Sequence, residues 1–266
     1  MTKGVYPVGS LLQGKCGLIM GVANDHSLAW GAAQALRAQG AELAFSYQSS
    51  GLLGRLEKLV QDMDNPLLVE CDVEQEGGIA KTFTSVAKVF PKLDFVIHSL
   101  AYSDRSELKG SYLDTSRENF RRSMLISCYS LTEVARYAAP MMREGGGSII
   151  TLTFLGARRV IPSYNVMGVA KAALEASVRY LASDLGPSGV RVNAVSPGPM
   201  RTISGAAIGN GRSTYNRIGD SAPLGRNAEL AEVGAACLYF ASELSSGVTG
   251  QLHHVDGGYN VMGVSV

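Results

Sequence analysis

Tyr164 and Lys171 stand seven residues apart in the run Tyr164-Asn-Val-Met-Gly-Val-Ala-Lys171, and the position four before the lysine holds Met167. On a continuous α-helix this spacing covers almost two turns, about 10 Å of rise at roughly 1.5 Å per residue, so phenol and ammonium would project from one face. A phenol donates a hydrogen bond or a proton. An ammonium donates to hydroxyls, and its charge favours an ionised or strongly donating phenol beside it. Such a pair suits a reduction in which negative charge develops on a substrate oxygen. A tyrosine one turn from the lysine would suit hydride attack on the carbon bearing that oxygen, but Met167 fills that place. A tyrosine set further along reaches an oxygen removed from the carbon that accepts hydride, as in a conjugated enoyl group. Gly168 on the shared face leaves room for a ligand. The bland alternative is an exposed tyrosine and lysine on a long helix, and Ile161-Pro162-Ser163, which reads as a helix start, argues against it.

A second set of residues suits a dinucleotide. After the apolar run Cys16–Met20 comes Gly21-Val-Ala-Asn-Asp-His-Ser27-Leu28, leading into a helical pattern over Ala29–Gln39. The spacing departs from G-x-G-x-x-G. Even so, Gly21 permits close backbone approach, Ser27 is a helix-capping residue, and the free N–H groups of the helix start suit a pyrophosphate. The same residues would also make an ordinary strand-to-helix turn. Tyr47-Gln48-Ser49 carries no acidic residue. Gln48 can bond the adenosine end, and the next basic residue is Arg55, so a 2′-phosphate lacks a partner and NADH is favoured over NADPH. Asp72 and Val73 supply a carboxylate and an apolar neighbour suited to the adenine edge, though an aspartate there is commonly a turn residue. In His98-Ser99-Leu100-Ala101-Tyr102 the small residues let a dinucleotide lie against backbone, while His98 reads as a packed, hydrogen-bonded core residue. In Ser196-Pro-Gly-Pro-Met200-Arg-Thr202 a rigid turn precedes Met200 and Thr202, placed to meet the carboxamide and pyrophosphate.

The elements that must position these groups follow from hydrophobic patterning. Short β-branched or apolar runs at Cys16–Met20, Glu42–Tyr47, Leu67–Cys71, Asp94–Ser99, Ser148–Leu152, Val190–Ser196 and Gln251–Val255 alternate with helical patterns. Each connection is long enough for a right-handed crossover helix. The expectation is an α/β Rossmann-type three-layer sandwich, a single domain over residues 1–266 with a seven-stranded parallel sheet and helices on both faces. The stretch from Gly198 to Arg226 is rich in Gly, Ser, Asn and Arg with little apolar periodicity, and reads as a lid over about residues 200–217. Within it Ile203, Ala206, Ala207 and Ile208 would close over an apolar substrate.

With 266 residues, 46% of them hydrophobic, the chain can bury a sizeable core. A formal net charge of +1 gives no electrostatic case for nucleic acid or an anionic membrane. Cys16, Cys71, Cys128 and Cys237 lie too far apart for metal-ligand spacing and read as reduced, buried thiols. The first residues carry no apolar leader pattern and no run of 18 apolar residues occurs, so a soluble cytoplasmic protein is expected.

Taken together these motifs resemble the bacterial enoyl-acyl-carrier-protein reductases of type II fatty acid synthesis, a divergent branch of the short-chain dehydrogenase/reductases. The resemblance runs nearly end to end, through Ala41-Glu-Leu-Ala-Phe-Ser-Tyr-Gln48, Cys71-Asp-Val73, Tyr164 to Lys171, Gly189-Val-Arg-Val-Asn-Ala and His254-Val-Asp-Gly-Gly258. It implies NADH-dependent reduction of a trans-2-enoyl thioester carried on acyl carrier protein, in a homotetramer, with Tyr164 and Lys171 catalytic. It implies a substrate pocket lined by Ala101, Tyr102, Phe154, Tyr164, Met167 and Ile208. Phe154 departs from the family, which commonly has a second tyrosine there, and Ala101 replaces a glycine found in some members. A carbonyl-reducing enzyme of the same superfamily and a non-catalytic dinucleotide sensor are the rival readings.

Overall fold

The computed structural model describes residues 6–63, 65–142, 145–200, 202 and 211–263. Seven strands form one parallel sheet: β1 (Cys16–Met20), β2 (Glu42–Tyr47), β3 (Leu67–Glu70), β4 (Phe95–His98), β5 (Gly147–Leu152), β6 (Val190–Pro197) and β7 (Leu252–Val255). Their order is β3-β2-β1-β4-β5-β6-β7, so the chain reverses direction across the sheet between β1 and β4. Crevices for ligands open at such a switch point, beyond the carboxyl ends of the strands. Each strand lies within a residue or so of its expected bounds.

Because successive strand side chains alternate between faces, each strand feeds two cores. Ile19, Phe45, Phe95, Ile97, Ile150 and Val195 face a layer built on α1 (Leu28–Ala38) and a late helix, Leu230–Ala241. Leu18, Met20, Val96, Ile149 and Val192 face α3 (Gly78–Ala87), α5 (Ser130–Met142) and α6 (Val166–Leu185). The exposed α2 (Ser50–Val60) buries only Leu56 and Val60. The sheet is therefore sandwiched, as the patterning requires.

Two features depart from expectation. The polar stretch after β6 contains a helix, α7 (Gly211–Ser221), where no regular element is expected from its weak periodicity; Ile218, only 5% exposed, anchors it. The late helix Leu230–Ala241 is thus α8. Second, α4 (Arg117–Met124) runs without interruption into α5 through a π-helical turn at Leu125–Tyr129. Among the described residues no helix is long and apolar enough to cross a membrane, no group of His, Cys, Asp and Glu could hold a metal ion, and all four cysteines are free.

Candidate active site

The carboxyl ends of β1, β4, β5 and β6 bring the chemistry-bearing residues together. Gly21 follows β1 with φ +98°, and a Cβ there would strike the Ser99 carbonyl oxygen. The close backbone approach expected of this glycine is thus made first to Ser99, whose N–H donates to the Met20 carbonyl (3.1 Å). Ser27 occupies the N-cap position of α1, but its hydroxyl does not cap the helix. Instead it accepts from the N–H groups of Ala23 and Asn24 (both 3.0 Å) and holds the preceding loop closed. The first turn of α1, beginning at Leu28, carries no acidic side chain, so its free N–H groups keep their affinity for an anion. Gln48 is exposed at the end of β2. Asp72 and Val73 are half-buried after β3, and Asp72 accepts from the N–H of Glu74 (3.1 Å), the turn role its position allows.

His98 lies wholly inside the protein. Its Nδ1 meets the Thr151 hydroxyl and its Nε2 the Ser130 hydroxyl, both at 2.9 Å. Burial, reinforced by the Lys171 charge, lowers its pKa to about 3, so the ring stays neutral and serves the core as expected.

Tyr164 and Lys171 are both buried, but they do not form two turns of one helix. The helix α6 starts at Val166. Tyr164 sits in the turn ahead of it, between Ser163 (φ +60°) and Asn165 (φ +39°), and the side-chain amide of Asn165 donates to the Glu107 carbonyl (3.1 Å). Left-handed backbone at two non-glycine residues ends the helical register, which 3.6-residue periodicity cannot reveal. The space expected at Gly168 is also filled: a Cβ there would lie 2.8 Å from the Gly156 carbonyl oxygen. Gly156 in turn packs on the Tyr164 ring, and Phe154 meets that ring edge-on at 5.2 Å and 71°. Leu108, Tyr164 and Met167 form a small separate apolar cluster against Phe154 and Ile161. Met167 is therefore a packed wall where a nearer phenol would stand.

Burial first, and the Glu175 carboxylate second, push the Tyr164 phenol well above its ordinary pKa. Both influences favour the protonated, donating phenol over the ionised one. The Lys171 ammonium donates to the carbonyls of Leu152 (2.8 Å) and Leu100 (3.4 Å), tying the ends of β5 and β4 together. Burial lowers its pKa to about 8, against the opposing influence of Cys128 and Glu175.

Several residues around this pair escape a reading by motif. Glu175, one turn beyond Lys171 and only 6% exposed, accepts from the Thr153 hydroxyl (3.0 Å) and from Arg158 Nε (3.0 Å), fastening the segment that bears Phe154 and Gly156 to α6. Its signal was an acidic residue on the buried face of an apolar helix. From the π-helical turn, Ser127 Oγ accepts from the Tyr102 N–H (2.9 Å) and lies 3.8 Å from the Met167 sulfur. Tyr102 is half-buried and Ala101 exposed at the mouth. Met200 and Thr202 follow β6, half-buried, while Ile203, Ala206, Ala207 and Ile208 lie outside the described residues. Helix-start N–H groups, a buried ammonium and an apolar wall make a donor set that fits an anionic dinucleotide beside an apolar substrate.

Comparison with known proteins finds relatives over almost the whole chain. The family model described as enoyl-(acyl carrier protein) reductase matches residues 21–260. The enoyl-[acyl-carrier-protein] reductase [NADH] 2 of Rhizobium meliloti (strain 1021) is 52% identical over 254 residues, covering 96% of this chain and 94% of the relative. That of Rickettsia bellii (strain RML369-C) is 51% identical over 253 residues, covering 95% and 96%. Among solved structures, the Anaplasma phagocytophilum reductase in complex with NAD superposes with a TM-score of 0.94 at 48% identity, covering 98% of this chain and all of the other. The Bacillus cereus enzyme, solved with NADP+ and indole naphthyridinone, gives a TM-score of 0.93 at 44% identity, with 96% and 100% covered. With a phenol set ahead of the lysine's helix, a sheet that reverses between β1 and β4, and relatives of about this identity over almost its whole length, the chain belongs to the enoyl-(acyl carrier protein) reductase family.

Proposed function

We propose that the chain reduces the 2,3 double bond of a trans-2-enoyl thioester, carried on acyl carrier protein, with NADH. The observation that carries this reading is the buried Tyr164 held in the turn ahead of α6, with packed Met167 four residues before Lys171. When bound, NADH would supply hydride to C3 of the enoyl group, and a proton from water at C2 would complete the reduction. Tyr164 donates a hydrogen bond to the thioester oxygen, where negative charge develops, and so acts more strongly in the transition state than in the ground state. Two protons of the Lys171 ammonium are committed to carbonyls, which leaves the third for a ribose hydroxyl of the cofactor. The α1 start at Ser27–Leu28 takes the pyrophosphate, with Gly21, Ser99 and Leu100 forming the backbone floor. Gln48, Asp72 and Val73 take the adenosine end, and Met200 and Thr202 the carboxamide side. Ala101, Tyr102, Phe154 and Met167 line the substrate, while residues 203–210 of the expected lid, Ile208 among them, lie outside the described residues.

The family and its named relatives support the choice of NADH and of an acyl-carrier substrate. A homotetramer is what the family resemblance implies, and Phe120 (40% exposed), Tyr129 (44%) and Tyr180 (75%) leave apolar surface on the single chain. Four free thiols accord with the cytoplasm. The deciding assay follows NADH loss with crotonyl and acetoacetyl thioesters in parallel. Turnover of crotonyl alone is expected; turnover of acetoacetyl alone would make the chain a carbonyl reductase, and turnover of neither would make it a dinucleotide-binding protein without this activity.

A further inference from the structure

Arg122, in the last turn of α4, spends its guanidinium on two loops at once. Nε and Nη2 donate to the two carboxylate oxygens of Glu74, each at 2.7 Å, and Nη1 donates to the Tyr102 hydroxyl at 2.9 Å. The Cζ atom also lies 4.4 Å from the centre of the Tyr102 ring. Glu74 follows β3 and Tyr102 follows β4, strands separated in the sheet by β2 and β1. At about 4.8 Å per strand the two loops leave the sheet on the order of 15 Å apart, and this one side chain joins them.

Both loops carry residues of the site. The Glu74 N–H bonds the Asp72 carboxylate, so fixing Glu74 fixes the turn that presents Asp72 and Val73. Ser127 holds the Tyr102 backbone (2.9 Å), while Arg122 holds the ring and hydroxyl. The fork geometry is one only arginine provides. A lysine would reach a single partner.

We infer that Arg122 is a positioning residue that couples the adenosine-end turn to Tyr102 at the substrate end, so that cofactor and substrate each favour the other's binding. This rests on the cofactor and substrate placement proposed above. Ordering of the Asp72–Glu74 turn by cofactor steadies the guanidinium, which steadies the Tyr102 ring. Linkage makes the effect reciprocal.

The test uses the full chain, with initial rates over a grid of NADH and crotonyl-CoA concentrations, and calorimetric titration of butyryl-CoA with and without NAD. In Arg122→Gln both KM values should rise by about 3- to 10-fold and the enhancement of butyryl-CoA binding by NAD should fall by a similar factor. Its kcat should stay within about 2-fold, since Tyr164 and Lys171 keep their contacts. Arg122→Lys should not rescue. Glu74→Gln should raise the NADH KM, Tyr102→Phe the crotonyl KM, and Glu74→Gln with Arg122→Gln together should be no worse than Arg122→Gln alone. Unchanged KM values, additive effects of the Glu74 and Arg122 changes, or an unaltered NAD enhancement would overturn the inference. If Arg122→Gln does not fold, unaltered NAD enhancement in both Glu74→Gln and Tyr102→Phe overturns it equally. Gln48→Ala separates the two levels: a raised NADH KM there beside a silent Arg122→Gln sinks the coupling alone, while silence in both also sinks the cofactor placement.

Discussion

At Tyr164, burial and the Glu175 carboxylate both oppose ionisation, so replacing the residue with phenylalanine removes a hydrogen-bond donor and leaves the local charge at neutral pH unchanged. Tyr164→Phe should therefore lower kcat by about 10²–10³, the usual range for losing one donor to developing charge, while the NADH KM stays near the wild-type value. Steady-state kinetics decides, and near-normal turnover would remove Tyr164 from the mechanism. Lys171 behaves differently because its charged form, which burial again disfavours, is the protonated one. Its pKa of about 8 means that the ammonium is complete below that pH and lost as pH rises through it. The NADH KM should accordingly climb above about pH 8, and Lys171→Ala should raise the KM at neutral pH and erase that alkaline limb. With its pKa near 3, His98 contributes no step to the profile near neutrality. The identity of the pair was legible as a spacing of residue types. Its geometry was not, because Ser163 and Asn165 adopt positive φ through contacts made across the fold, such as that of Asn165 with Glu107.

At the scale of elements, the site depends on how tightly α6 lies against the segment after β5. Alanine is intrinsically favoured over glycine inside a helix by about 1 kcal/mol, so Gly168→Ala would stabilise α6 in isolation. Within the fold, the added methyl meets the Gly156 carbonyl oxygen at 2.8 Å, and backbone on both sides must move. The clash should win, with a net loss of about 1–3 kcal/mol in denaturant unfolding and a fall in kcat as Gly156 shifts against the Tyr164 ring. A variant as stable and active as wild type would refute this account of the glycine. The strands were legible because buried parallel strands read as short β-branched apolar runs with little else competing. The helix α7 was not, since Gly211-Arg-Ser-Thr-Tyr-Asn-Arg-Ile-Gly-Asp-Ser221 offers Ile218 as its lone aliphatic anchor and its support comes from distant residues, including the bond from Asn227 to the Tyr215 carbonyl (2.7 Å). The π-helical turn carries no periodic signature at all, yet it is what aims Ser127 at Tyr102.

For the whole molecule, cofactor preference follows from what surrounds the end of β2. Gln48 has no basic neighbour in the sequence before Arg55, so a 2′-phosphate would meet no cation there and kcat/KM should favour NADH over NADPH; equal efficiencies would reject the argument. Hydrogen exchange should show residues 202–217 gaining protection in the order free protein, NAD-bound protein, NAD with acyl thioester, and protection that does not depend on ligand would reject a closing lid. The strand order has a further consequence, for the birth of the chain on the ribosome. β1 to β4 arise from residues up to 98 and make a contiguous block, β3-β2-β1-β4, whose inner pairings need nothing later. From then until β5 emerges at residues 147–152, β4 carries a bare edge of unpaired N–H and C=O groups between apolar side chains, the kind of edge that invites pairing between nascent chains. Lys171, which stitches the ends of β4 and β5, comes later still. Arrested chains long enough to have released residue 98 but not residue 147 should therefore resist protease in their strands yet associate with one another, and chains long enough to have released residues 147–185 should do neither more than the finished protein.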